Sequence, residues 1–270
     1  MRLSALKITL LCFLPFISYI PGISQTDGRS AGLAGASVAL QDAWSVHHNQ
    51  AGMTATEKLC IGAAYENRFL LEELGLKSLA VVIPAKPGTF GISLSRLGYS
   101  MFSESKVGIA FAKKLWSNIS VGIQLDYMNI SLGGEYGSKD LYTFELGLQA
   151  ELNEKLRIGA HVFNPVRARL SDFPDERIEL IYRSGLVYSF SDELIASVEA
   201  EKHIDHPLNL KTGLEYNFKE KFYLRGGIAT NPASWAMGFG MKLQNFSINL
   251  ASVCHQVLGF SPTVSIQYAF

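Results

Sequence analysis

The chain has 270 residues, with 24 Lys+Arg against 24 Asp+Glu and a formal net charge of zero. Only 18% of it is charged while 48% is hydrophobic, less charge than the quarter or so that covers a typical soluble domain. Past the N-terminus no apolar run reaches the roughly 18 residues of a spanning helix, so a multi-span helical protein is excluded. No Lys/Arg block marks a nucleic-acid partner, and the apolar and aromatic content argues against disorder.

The first segment has the layout of a signal peptide. Arg2 and Lys7 make a basic start and Ile8 to Ile20 an apolar stretch too short to span. Gly22-Ile23-Ser24 places small residues where cleavage needs them, so residues 1–24 are expected to be removed. Cys12 lies inside the apolar stretch rather than after it, which argues against a lipoprotein site.

Residues 25–57 are rich in glycine and small residues. From Lys58 onward the dominant period is two. Between Asn118 and Ser131, Ile119, Val121, Ile123, Leu125 and Tyr127 face one way, while Ser120, Gly122, Gln124 and Asp126 face the other. The same alternation recurs in 140–152, 155–164 and 207–217. The pattern predicts strands at 58–66, 76–84, 89–98, 104–114, 117–131, 140–152, 155–164, 177–190, 193–202, 207–217, 221–229, 234–243, 245–255 and 262–270. These are fourteen strands. Every second connection is a tight turn, and those between are mostly longer: 67–75, 132–139, 165–176 and 256–261. The expected fold is therefore all-β: an antiparallel transmembrane β-barrel with a short N-terminal plug segment, in a bacterial outer membrane.

Charge and aromatic placement set the register. A Lys or Arg facing lipid at mid-membrane costs about 2–4 kcal/mol. Asp126, Glu145, Arg157, Arg183, Glu199, Lys211, Glu215, Arg225 and Lys242 all fall on the face expected to point inward; Arg96 falls on the other, near a rim. Most strand glycines, among them Gly91, Gly122, Gly147, Gly159, Gly213 and Gly227, also point inward. Trp116, Tyr188, Phe190, Tyr216, Phe218, Phe222, Phe246, Tyr268 and Phe270 gather at one rim, and Tyr127, Tyr142 and Trp235 at the other, as interfacial girdles do. Cys60 and Cys254 fall on opposite faces and are expected to be free.

Two ends of the chain carry a family resemblance. The last residues, Thr263 to Phe270, alternate and close on Tyr268 and Phe270, resembling the β-signal read by the outer-membrane assembly machinery. His255-Gln256-Val257-Leu258-Gly259 resembles the H-x-x-L-G loop of PorV/PorQ-type proteins. Gly213-Leu214-Glu215-Tyr216 with Leu224-Arg225-Gly226-Gly227 resembles their G-x-E-Y and L-R-x-G pair. Gly28-Arg29-Ser30-Ala31-Gly32 and Asn49-Gln50-Ala51-Gly52-Met53 resemble the family's opening, with Gln50 where the family has proline. FadL-type fatty-acid transporters share a version of that opening and fourteen strands.

The resemblance implies three functions: a partner-holding or shuttle barrel acting with type IX protein secretion proteins, FadL-like uptake of hydrophobic small molecules, or a structural barrel without transport. It also implies that 25–57 folds into the lumen. Asp42 is then a candidate N-cap, and His47, His48 and Asn49 become lumen groups. His161 faces the same space. A structural plug bonded to the wall is the expected role, with gating of a hydrophobic ligand as the sharper alternative. His203-Ile204-Asp205-His206 is expected to be a solvated turn rather than a metal site, and Asp172 to Arg177 a surface loop. No G-x-S-x-G, Walker loop, H-E-x-x-H or C-x-x-C occurs, so no enzyme, metal or cofactor is expected. Membrane lipid is an expected partner.

Overall fold

The computed structural model describes residues 27–133, 137–171 and 176–270. The expected signal peptide and most of the loop from Asp172 lie outside them. The sixteen strands are β1 (Cys60–Asn67), β2 (Gly75–Ala85), β3 (Gly88–Gly98), β4 (Phe102–Trp116), β5 (Ile119–Leu132), β6 (Ser138–Glu151), β7 (Leu156–Phe163), β8 (Arg169–Ser171), β9 (Glu176–Arg177), β10 (Ile181–Ser189), β11 (Leu194–His203), β12 (Asn209–Phe218), β13 (Phe222–Thr230), β14 (Ala233–Leu243), β15 (Phe246–His255) and β16 (Gly259–Ala269). All except β8 and β9 form one closed antiparallel barrel of fourteen strands, in which β1 pairs with both β2 and β16. Closure leaves no strand edge with unpaired backbone groups, the condition for a sheet to lie in lipid.

The alternation follows the sequence period. In β5, Ser120, Gln124, Asp126 and Met128 are buried inside while Ile123, Leu125 and Tyr127 are exposed outside. Of the nine charged residues expected inside, Asp126, Glu145, Arg183, Glu199, Lys211, Glu215 and Arg225 are buried and Arg157 is half-buried, whereas Lys242, at the turn end of β14, is exposed. Outside, Leu125, Leu148, Leu186, Leu214, Leu224, Leu250 and Ile266 make an apolar belt between two aromatic rims. This inverts a soluble protein and defines a transmembrane barrel. Arg96 is on the outer face, as expected. Cys60 faces in, Cys254 faces out, and both are free.

The structure corrects some connections. The one at 256–258 is shorter than expected because β16 starts at Gly259, and 99–101 and 231–232 are as tight as the turns at the other end. By residue count, 68–74 and 164–180 are the longest connections between barrel strands. The residues expected to open a long strand at 177 belong instead to the small ribbon β8–β9. This loop folds back over the barrel mouth. Ala168 and Ile178 pack on inward-facing Met128, Leu141, Phe163 and Ile181. Asn164 holds it there: its side-chain oxygen accepts from Thr143 Oγ1 and the Ala168 amide, and its Nδ2 donates to the Ile178 carbonyl at 2.8 Å.

The core lies inside the barrel and is built largely by residues 27–57. Trp44, Val46 and Met53 pack on Cys60, Ala80, Val82, Ala110 and Ala112. Leu33, Val38, Ala39 and Leu40 pack on Val187. The segment includes a short helix at Gly28–Gly32, a turn of helix at Ser45–His48 and a 3-10 turn at Gln50–Ala55. The first of these was not visible in the sequence pattern.

Candidate functional site

The inner segment fits because glycines remove the wall's side chains where the two approach most closely. A Cβ on Gly62 would lie 2.8 Å from the Trp44 ring, one on Gly147 2.1 Å from Asn49 Oδ1, and one on Gly159 2.4 Å from the Val38 carbonyl oxygen. Gly213 and Gly227 leave room for Leu33 in the same way. The strand glycines form a belt that receives the segment.

Four polar clusters tie the segment to the wall. In the first, Glu215 and Arg225 pair across β12 and β13, with Arg225 Nε 2.5 Å from Glu215 Oε2. Arg29 grips the same carboxylate with two nitrogens, at 2.9 and 2.7 Å, and donates a third bond to Asp42 at 2.9 Å. The bidentate geometry is the strong form of this contact. Three motifs far apart in sequence thus meet at one ion cluster. Asp42 also takes the Ser45 amide at 3.1 Å while Ser45 Oγ accepts from the Asp42 amide, so Asp42 braces the turn leading into Ser45–His48, whose N-cap position is Trp44.

The second cluster centres on Glu145. Its carboxylate accepts from Lys106 Nζ at 2.5 Å, Gln50 Nε2 at 2.7 Å, His161 Nε2 at 2.8 Å and Gln124 Nε2 at 3.2 Å. A carboxylate only accepts, so His161 carries its proton on Nε2. Gln50, at the position where the resembled family has proline, makes a bond to Glu145 that proline has no side-chain donor to make.

The third is a backbone clasp at Val38. The amides of Ser37 and Val38 both donate to Glu199 Oε2 at 2.8 Å. The Val38 carbonyl accepts from Asn49 Nδ2 at 2.7 Å and Gln149 Nε2 at 3.1 Å, and Asn49 Nδ2 also reaches the wall carbonyl of Leu148 at 3.1 Å. His48 Nε2 pairs with Asp27 at 3.1 Å, both buried. His47 Nε2 donates to the Leu79 carbonyl at 3.0 Å. Burial, then the nearby Lys106 charge, push the His47 imidazole down to about 3, so it is neutral. His47, His48 and Asn49 are therefore anchors of the segment.

The fourth cluster lies nearer the loop end of the barrel and corrects the expectation of a solvated turn. His203 is buried, with Nδ1 2.5 Å from Glu179 Oε2, and His206 Nε2 is 2.8 Å from Glu179 Oε1. Burial raises the Glu179 carboxyl, but its bonds to His203 and His206 outweigh this and hold it below the ordinary value. Glu179 closes the long loop onto β11. Sequence spacing offered no link between positions 179 and 203.

Beside this loop a cavity of about 600 Å3 opens at the mouth, with Ala34 of the inner segment among its walls. Phe69, Pro207, Pro232, Val253, Val257 and Leu258 supply apolar surface. The charged groups there are paired, Glu66 with Arg68 and Glu201 with Lys211, so the lining carries little unbalanced charge. An apolar cavity of roughly 150 Å3 suffices for benzene.

The end motifs have structural roles. His255 and Gly259 face each other across the last hairpin, and His255 Nδ1 accepts from the amides of Val257 and Leu258 at 3.1 Å each. Gly259 adopts φ +88°, a conformation open to glycine, and Leu258 lines the cavity. Tyr268 pairs with Phe246 and Ile61 and meets Phe270 edge to face, and the Phe270 amide bonds the Leu59 carbonyl, closing the barrel.

No protein-family model matches the chain, and no curated protein matches it. Solved structures do. The CymD monoaromatic hydrocarbon channel is similar at a TM-score of 0.70 and 13% identity, over 92% of this chain and 98% of that one. The toluene transporter TodX of P. putida is similar at 0.70 and 12%, over 92% and 99%. A FadL homologue of Pseudomonas aeruginosa is similar at 0.62 and 14%, over 91% and 98%. At such identities the likeness is one of fold.

Proposed function

We propose that the chain is an outer-membrane conduit for small hydrophobic compounds, gated by its N-terminal segment. The carrying observation is the pairing of a largely apolar mouth cavity with a lumen filled by residues 27–57. A ligand entering between Phe69, Val257 and Leu258 meets Ala34 and goes no further until the segment moves. Similar structures described as a monoaromatic hydrocarbon channel and a toluene transporter support the same substrate class. In this reading residues 1–24 direct export, the loop end faces outward, His47, His48 and Asn49 hold the gate, His161 steadies Glu145, and Tyr268 and Phe270 serve barrel assembly.

The partner-holding role in type IX secretion has less support. Its motifs at Arg29, Glu215, Arg225 and His255–Gly259 have structural duties here, and most loops that a partner would grip are short. The test is uptake of a labelled monocyclic hydrocarbon by cells with and without the gene, beside secretion of C-terminally tagged cargo. Reduced uptake with unchanged secretion supports the conduit. Unchanged uptake with lost secretion contradicts it.

A further inference from the structure

Lys77 of β2 and Arg96 of β3 are direct cross-strand partners on the outer face of the barrel. Both are exposed, two residues from the loop ends of their strands. Directly opposed like charges repel, with Cβ atoms about 4.5–5.5 Å apart. A fold avoids that arrangement unless something negative joins it. Nothing among the described residues does: neither cation makes an ion pair, whereas inward-facing Lys106, Arg183, Lys211 and Arg225 all do. The exposed Glu72 and Glu73 of the neighbouring loop are not paired with them either.

The surroundings identify what does. Tyr65, exposed on β1, stands opposite Lys77 on its other side. One step toward the membrane centre the same three strands and β4 present Ala63, Leu79, Leu94 and Val107, each opposite the next. Leu94 and Val107 are exposed. The boundary between an apolar wall and two unpaired cations therefore runs across one patch. That is the level at which a lipid's chains give way to its headgroup, and where a cation on the outside of a barrel costs least. Arg presents a planar fork suited to phosphate, and Lys adds a point charge.

We propose that Lys77 and Arg96 form a binding site for the phosphate of an outer-leaflet lipid whose acyl chains lie on Leu79, Leu94 and Val107. The site is independent of what crosses the lumen and rests on the barrel lying in a bilayer with its loop end outward, as in the reading above. The lipid, rather than free phosphate, is the ligand because the apolar row is continuous with the cation pair.

The test is native mass spectrometry of the full mature protein in micelles, titrated with diphosphorylated lipid A. The variants are Lys77→Glu and Arg96→Gln. Each is expected to weaken binding about ten-fold or more, the loss expected for charge-assisted bonds. Lys77→Glu places an acid opposite Arg96, so its heat-modified gel mobility stays that of a folded barrel while lipid is lost. Wild-type affinity in folded Lys77→Glu overturns the proposal. So does equal binding of dephosphorylated lipid A, which assigns the affinity to the apolar row alone. Displacement of lipid A by inorganic phosphate at concentrations near that of the lipid also overturns it, because the site is then one for the free ion.

Discussion

Gly159→Ala tests how the inner segment is held. The new methyl would sit 2.4 Å from the Val38 carbonyl oxygen and 3.1 Å from Ala39 Cα, both backbone atoms that no rotamer change can move. Reaching ordinary contact of about 3.5 Å requires Val38 to retreat by about 1 Å. Overpacking of this kind costs about 1–3 kcal/mol. The retreat also stretches the bonds to the Val38 carbonyl from Asn49 and Gln149, each worth about 1 kcal/mol. The combined penalty of about 3–5 kcal/mol raises the displaced population by on the order of a hundred-fold or more. The strands themselves are unaffected, because nothing in the ladder changes. Hydrogen exchange reads this directly: the Val38 amide, bonded to Glu199, should exchange at least a hundred-fold faster while β7 amides stay protected. Gly226→Ala is the control, since the nearest atom there is 4.0 Å away. Equal Val38 protection in both variants refutes the glycine-belt argument.

Other outcomes follow from the clusters. Because His47 is held near 3 when folded but titrates near 6.5 when released, the released segment binds more protons between those values, so seating is strongest above pH 6.5 and weakens as pH falls toward 3. At pH 5 the loss is about 2 kcal/mol; His47→Gln, which keeps a donor for the Leu79 carbonyl, should abolish that part of the pH dependence of exchange at 46–49, and an unchanged dependence contradicts it. Glu145→Gln leaves Lys106 buried with Asp126, 3.8 Å away, as its remaining carboxylate and should destabilise the barrel by about 3 kcal/mol in a urea titration, whereas an unchanged midpoint contradicts the role given to this cluster. Gly259→Ala should lower stability by about 1 kcal/mol through the φ of +88° yet leave cargo secretion untouched; a secretion defect without a stability change would restore the partner reading.

The wall was legible in the sequence because its information is local. A period of two along β5 or β6 reports which face meets lipid, and each inward charge confirms it. The inner segment was legible only as a resemblance. Its anchors join positions far apart, such as Arg29 with Glu215 or Gln50 with Glu145, and no local period carries such pairs. The period of two points the glycines inward, but which side chain each receives depends on the path of 27–57 through the lumen. His203 looked like part of a solvated turn because its partner, Glu179, belongs to a loop that folds back over the mouth. Arg96 stands in the sequence as a lone outward charge, and its pairing with Lys77 is a property of the sheet register.

The gate itself is open to direct measurement. In a Cys60→Ala, Cys254→Ala background, Val46→Cys with Gly91→Cys should form a disulfide, because Val46 Cγ2 lies 2.7 Å from a Cβ on Gly91 and the other nearest atoms belong to the flexible Met53 side chain. Uptake of a labelled monocyclic hydrocarbon is then compared in oxidised and reduced cells. The account predicts that oxidation stops protein-dependent uptake and reduction restores it. Undiminished uptake with the segment locked to the wall would contradict it.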